Sequence, residues 1–148
     1  MKRFLAVLAA VVMAVSVVPV AQAAEGTELT GITTERLAGF DRVTFQLAGA
    51  RPTVTDGRAA GLEGCGSGKP IDATGAEFVE VNMWGANAHS YTGPRAFETP
   101  GLGNVRSVTN TCDFEAHLAF GIGVAKLGSP YRVSVQDNPT RVVVEINH

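Results

Sequence analysis

The chain has 148 residues, with 12 basic and 14 acidic side chains and a formal charge of −2 at neutral pH. This length suits one domain with a real core. A slightly acidic balance with no clustered basic surface argues against a nucleic-acid binder and against general attraction to anionic lipid.

Residues 1–23 read as a cleavable signal peptide. Lys2 and Arg3 give a positive start, residues 4–18 run without a charge, and Pro19 breaks the helix that run would form. Ala21-Gln22-Ala23 then supplies the small-x-small pattern of a cleavage site, with Ala24 as the new N-terminus. An uncleaved anchor needs roughly 20 apolar residues, and this run is interrupted by Ser16 and Pro19. No cysteine stands at the cleavage point, so the expected product is secreted into the envelope or beyond. It carries no lipid anchor and is not inserted in a membrane. Without Lys2 and Arg3 the remaining ten basic residues face fourteen acidic ones, a formal charge of −4.

The mature chain reads as all-β. Residues 24–38 form an N-terminal segment with a weak strand over Glu28–Thr34, and the domain proper is expected over 39–148. In Asp41–Leu47, Val43, Phe45 and Leu47 share one face, with Arg42, Thr44 and Gln46 on the other. Pro52–Thr55 is a weak candidate, and Gly61–Pro70 a glycine-rich loop. Phe78–Met83 alternates less cleanly; Tyr91–Gly103 holds two prolines and three glycines; Val105–Thr109 is weak again. Phe114–Ile122 is read as one strand, with Phe114, Ala116, Leu118, Phe120 and Ile122 on its apolar side. Tyr131–Val135 alternates, and Arg141–Ile146 is apolar enough to be central or covered on both faces. No mature segment keeps helical periodicity for three turns. Short antiparallel strands with turn signals at these intervals predict a small β-sandwich or barrel.

In an exported chain the isolated pair Cys65 and Cys112 is most simply one structural disulfide, with free thiols or a redox pair as alternatives. It would close a loop of 48 residues counting both ends. The chain-entropy model gives roughly 4 kcal/mol for such a closure, reduced by native strain.

No catalytic signature emerges. Gly66-Ser67-Gly68-Lys69 has Glu63 and Pro70 where a phosphate-binding loop needs Gly and Ser or Thr. Around Ser67, Cys65 and Lys69 stand where a nucleophile elbow needs glycines. Cys65, Cys112, His89 and His117 are zinc-ligand types without paired spacing, and His117 is expected to be solvated opposite its strand's apolar face. His148 is the last residue. Asp113 with Glu115, and Glu77 with Glu80, could be carboxylate pairs, but solvated surface is the default. No metal or cofactor is therefore expected. Trp84, Tyr91 and Arg95 are candidate binding residues, because amphipathic rings and guanidinium groups favour recognition surfaces. The other open reading is that Trp84 and Tyr91 cap a core and Arg95 pairs with an acid.

Taken in order, these segments resemble the AMIN-like domain of exported actinobacterial proteins over about Gly39–Asn147. The resemblance is carried by Phe40-Asp41-Arg42-Val43-Thr44-Phe45, by Tyr91-Thr92-Gly93-Pro94-Arg95, and by Asp113-Phe114-Glu115 with Phe120-Gly121-Ile122-Gly123. Pro130-Tyr131-Arg132-Val133 and Asn138-Pro139-Thr140-Arg141-Val142-Val143-Val144-Glu145 complete it. It departs at Glu145, where Asp is more usual, and at Phe120, where Trp is expected. The resemblance implies a β-sandwich related to AMIN domains, which localise envelope proteins such as cell-wall amidases through peptidoglycan contacts; it transfers no catalytic residue. Phe45, Phe114, Phe120 and Val143 are expected in the core, each burial contributing about 2 kcal/mol. Asp41 with Arg141, or Arg42 with Glu145, are candidate register pairs across neighbouring strands.

Three readings follow in this order. The first is a non-catalytic envelope-binding module for peptidoglycan or another wall polymer. The second is an interaction domain that docks another exported protein through a sheet edge or loop. The third is a small hydrolase, for which no nucleophile–base pair is visible.

Overall fold

The computed structural model describes residues 26–148, so the signal peptide expected over 1–23 lies outside the described residues. Twelve strands follow one another: β1 (Thr27–Arg36), β2 (Phe40–Ala48), β3 (Thr53–Ala59), β4 (Leu62–Glu63), β5 (Pro70–Ile71), β6 (Glu77–Trp84), β7 (Ala86–Asn87), β8 (Ala96–Glu98), β9 (Val105–Phe114), β10 (His117–Val124), β11 (Tyr131–Gln136) and β12 (Arg141–Asn147). They form two five-stranded sheets and a small hairpin. The first sheet runs β11-β12-β2-β1-β7, the second β3-β6-β10-β9-β8, and β4 pairs with β5. Every pairing is antiparallel except the short β1–β7 contact. Since β1 pairs with β2 from Glu28 to Arg36, the sandwich begins well before Gly39.

The alternation along the strands decides what lies between the sheets. Val43, Phe45 and Leu47 from β2 and Val142, Val144 and Ile146 from β12 face Val79, Val81 and Met83 from β6 and Leu118, Phe120 and Ile122 from β10. Phe45 and Phe120 meet across the layers, ring centroids 4.7 Å apart and tilted by 36°. Phe120 is thus a core ring, and its departure from Trp bears on packing, not on a ligand. β12 is an inner strand, as its apolar run predicts. Val143, expected in this core, is buried instead on the outer face, because its neighbours Val142 and Val144 point inward.

The strand expected over Phe114–Ile122 is two strands. Phe114 and His117 are paired across a two-residue turn in which Glu115 (φ 48°) and Ala116 (φ 58°) both have left-handed backbone, the pattern of a type I′ hairpin. Phe114 therefore leaves the core and is 64% exposed. Nothing in Glu-Ala announces such a turn, since Asn-Gly is its usual sequence.

The segment after β3 folds back as a flap over the outer face of the second sheet. Cys65 and Cys112 are joined by a disulfide. Beside it the Cys65 N–H donates to the Thr111 carbonyl at 3.0 Å, and Ser107 Oγ donates to the Thr74 carbonyl at 2.7 Å. Leu62, Phe78, Ala119 and Cys112 are consequently buried on this outer side.

Candidate functional site

The flap covers only part of that face. Beyond Cys112 the outward positions of β9, β10 and β6 carry Phe114, His117 and Trp84, which lie opposite one another in register. Trp84 and His117 stack with centroids 3.9 Å apart and planes 11° from parallel. His117 Nε2 lies 2.9 Å from Asn82 Oδ1, and Trp84 Nε1 donates to Thr55 Oγ1 at 3.4 Å. Partial burial lowers the His117 pKa below its ordinary 6.5 and favours the neutral ring. The expected solvated histidine is therefore part of a stack. Among the described residues the exposed large apolar side chains are Trp84, Phe114 and Leu127, and the first two share this row. Trp84 is 47% exposed. The result is a row of rings on a rigid sheet, with Thr55, Asn82 and Glu80 supplying hydrogen-bonding groups on the same face.

Tyr91 and Arg95 do not join Trp84 there. Arg95 Nη1 donates to Asp113 Oδ2 at 2.8 Å, and its Nη2 donates to the Ala88 carbonyl. Asp113 Oδ1 in turn accepts the Ala88 N–H at 3.1 Å. Asp113 lies opposite Leu118, whose side chain points into the core, so this network closes one end of the sandwich. Tyr91 packs against the core from the loop beyond β7. Arg95 thereby holds the 86–95 segment to β9, and Tyr91 anchors it on the core. The carboxylate pair Asp113–Glu115 does not form either: Asp113 is engaged by Arg95, and Glu115 sits in the turn. On β6, Glu77 accepts from Arg58 and from the Gly128 N–H.

The outer face of the first sheet is polar and ordered in rows. Arg132, Glu145, Arg42 and Glu35 lie side by side on β11, β12, β2 and β1. Arg42 donates to Glu145 Oε1 from Nε (3.2 Å) and Nη2 (2.9 Å), reaches Glu35 at 3.5 Å, and shares Glu145 with Arg132. The Arg132 and Arg42 hydrogen bonds hold the Glu145 carboxyl below its ordinary range. Arg42 and Glu145 thus meet across the β2–β12 register, whereas Asp41 and Arg141 do not. Asp41 faces inward opposite Ile146, and Arg141 stands at the other end of β12, opposite Gln46.

Asp41 is completely buried. It accepts N–H groups from Gly103 (3.0 Å), Asn104 (2.6 Å) and Val105 (2.9 Å), and lies 2.9 Å from His148 Nε2. Burial by itself would raise its pKa, but these backbone bonds and His148 outweigh burial and leave it lowered. Its role is to hold the loop that enters β9.

Among the described residues no three His, Cys, Asp or Glu side chains are placed to hold a metal ion. Cys65 and Cys112 are consumed by their disulfide. No described helix is long and apolar enough to cross a membrane. A family profile described as the AMIN-like domain matches residues 27–148. The chain matches no curated protein and no solved structure.

Proposed function

We propose, for a chain that belongs to the AMIN-like domain family, that it is a secreted, non-catalytic module which binds a wall polymer of the cell envelope, peptidoglycan above all, on the Phe114–His117–Trp84 row. The observation that carries this reading is the exposed row itself. Exposed rings in register on a sheet stapled by a disulfide form an apolar ridge, and apolar faces of sugar rings pack on exposed aromatic rings at little entropic cost to the protein. The neighbouring Asn82, Glu80 and Thr55 match sugar hydroxyl and acetamido groups. Neutral His117 keeps positive charge off the ridge near physiological pH.

The test is sedimentation of the purified protein with isolated peptidoglycan, beside a Trp84→Ala/Phe114→Ala variant whose folding is checked by its melting curve. The wild type is expected in the pellet and the variant in the supernatant. Equal sedimentation of both would remove the aromatic row from the reading. Absence of both from the pellet would overturn wall binding and turn attention to an exported protein partner.

A further inference from the structure

On the opposite outer face, one cation is left without a counter-charge. The row Arg132–Glu145–Arg42–Glu35 is internally balanced, two arginines against two acids, with each neighbouring pair in contact. The next row along the strands is Ser134, Val143, Thr44 and Thr33. Beyond it lie Gln136, Arg141, Gln46 and Gly31, again side by side on β11, β12, β2 and β1. Arg141 makes no ion pair among the described residues. Its Nε–H is buried and meets no acceptor.

A guanidinium N–H removed from water with no partner is destabilising. No acid stands within its own row or in the Ser134–Val143–Thr44–Thr33 row, and the balanced row is four residues away along each strand, roughly 13 Å. The position is also roomy. Arg141, Gln136, Gln46, Thr33, Thr44 and Val143 line, with Arg42 and Glu35, an open groove of about 370 Å³. Gly31 contributes to that space: a Cβ there would lie 2.6 Å from Gln46 Oε1, so the glutamine side chain is free to lie across β1.

We propose that this groove binds the carboxylate end of a short peptide, with Arg141 as its anion contact. A guanidinium presents parallel N–H donors that match a carboxylate, and the Arg141 Nη groups make no hydrogen bond among the described residues, so they are available to one. The side-chain amides of Gln46 and Gln136, in register on either side of Arg141, can each donate to and accept from a flanking peptide group. The Thr33 and Thr44 hydroxyls extend the same pattern, and buried Val143 forms an apolar floor for a small side chain. This site is separate from the aromatic row and stands without it.

The probe is acetyl-alanyl-alanine, followed by amide chemical shifts of the labelled protein, with its C-terminal carboxamide and sodium acetate in parallel. The free-acid dipeptide is expected to move the Thr44, Gln136 and Val143 signals in a saturable way. The capped dipeptide and acetate are each expected to bind at least about tenfold more weakly. Arg141→Gln is expected to lose the same factor. Gln46→Ala, which keeps the charge, should narrow the preference for dipeptide over acetate. The Trp84→Ala/Phe114→Ala variant should bind the dipeptide like the wild type, so failure of wall binding and failure of this site are distinguishable. Equal affinity for the capped dipeptide, acetate as tight as dipeptide, unchanged binding by folded Arg141→Gln, or no shifts at millimolar dipeptide would each overturn the proposal.

Discussion

Leu62 rests on the bare Cα of Gly121: a Cβ at that position would lie 2.4 Å from Leu62 Cδ2. One strand position further along the same face, a Cβ at Gly123 would lie 2.0 Å from the Thr74 carbonyl oxygen and 2.5 Å from Ser107 Oγ. The first obstruction is the end of a flexible side chain; the second includes backbone. Gly121→Ala is therefore expected to destabilise by about 1 kcal/mol and Gly123→Ala by about 3 kcal/mol, measured by urea unfolding. Gly123→Ala should also speed hydrogen exchange at Ala76, whose N–H donates to the Val124 carbonyl where the flap returns to the sheet. Equal losses from the two substitutions would mean that the flap yields as easily as Leu62.

The Glu115–Ala116 turn holds two non-glycine residues in left-handed conformation, a cost of roughly 1–2 kcal/mol for each. Replacing the pair by Asn-Gly relieves it without changing Phe114 or His117. The expected gain is about 1–2 kcal/mol, seen as a higher melting temperature. An unchanged melting temperature would show that the turn is not under strain. Because the rings keep their register, sedimentation with peptidoglycan should be unaffected.

Asp41 links stability to pH. Its pKa is lower in the folded chain than the ordinary 3.8, so its contribution is complete above the unfolded value and is lost as pH falls below 3.8 through the folded value. Asp41→Asn keeps the shape but presents an amide N–H₂ to donors that need an acceptor. It is expected to destabilise by about 3 kcal/mol at neutral pH and to flatten the acid limb of the stability curve. Urea midpoints from neutral pH down to about pH 2.5 check both effects. An acid limb as steep in the variant as in the wild type would assign the acid response to other carboxylates.

The candidate sites were only partly legible in the sequence. Trp84 stands out as the chain's single tryptophan, but its partners do not. Phe114 continues an apolar alternation, and the bend that turns it outward is made by Glu-Ala, which carries no turn signal. Arg95 looks like a recognition residue because guanidinium groups suit surfaces. Its hydrogen bonds go instead to Asp113 and the Ala88 carbonyl, partners brought near it by the hairpin pairing of β8 with β9. Arg141 opens an apolar run and invites pairing with Asp41. Strand parity forbids the pair, since Asp41 points inward while Arg141 points out.

The sequence by itself determined what depends on local alternation and composition: an all-β chain, the inward face of β2, the inward Leu118, Phe120 and Ile122 of β10, the central place of β12, and the two cysteines available for a staple. These follow from period-two burial and from the conformational preferences of single residues, which neighbours along the chain already specify. Only the tertiary structure decided which side chains share a face. The Phe114–His117–Trp84 row and the Gln136–Arg141–Gln46 row each draw one residue from each of three strands. Their alignment is set by register, and register is fixed by burying one whole face of each strand against the opposite sheet.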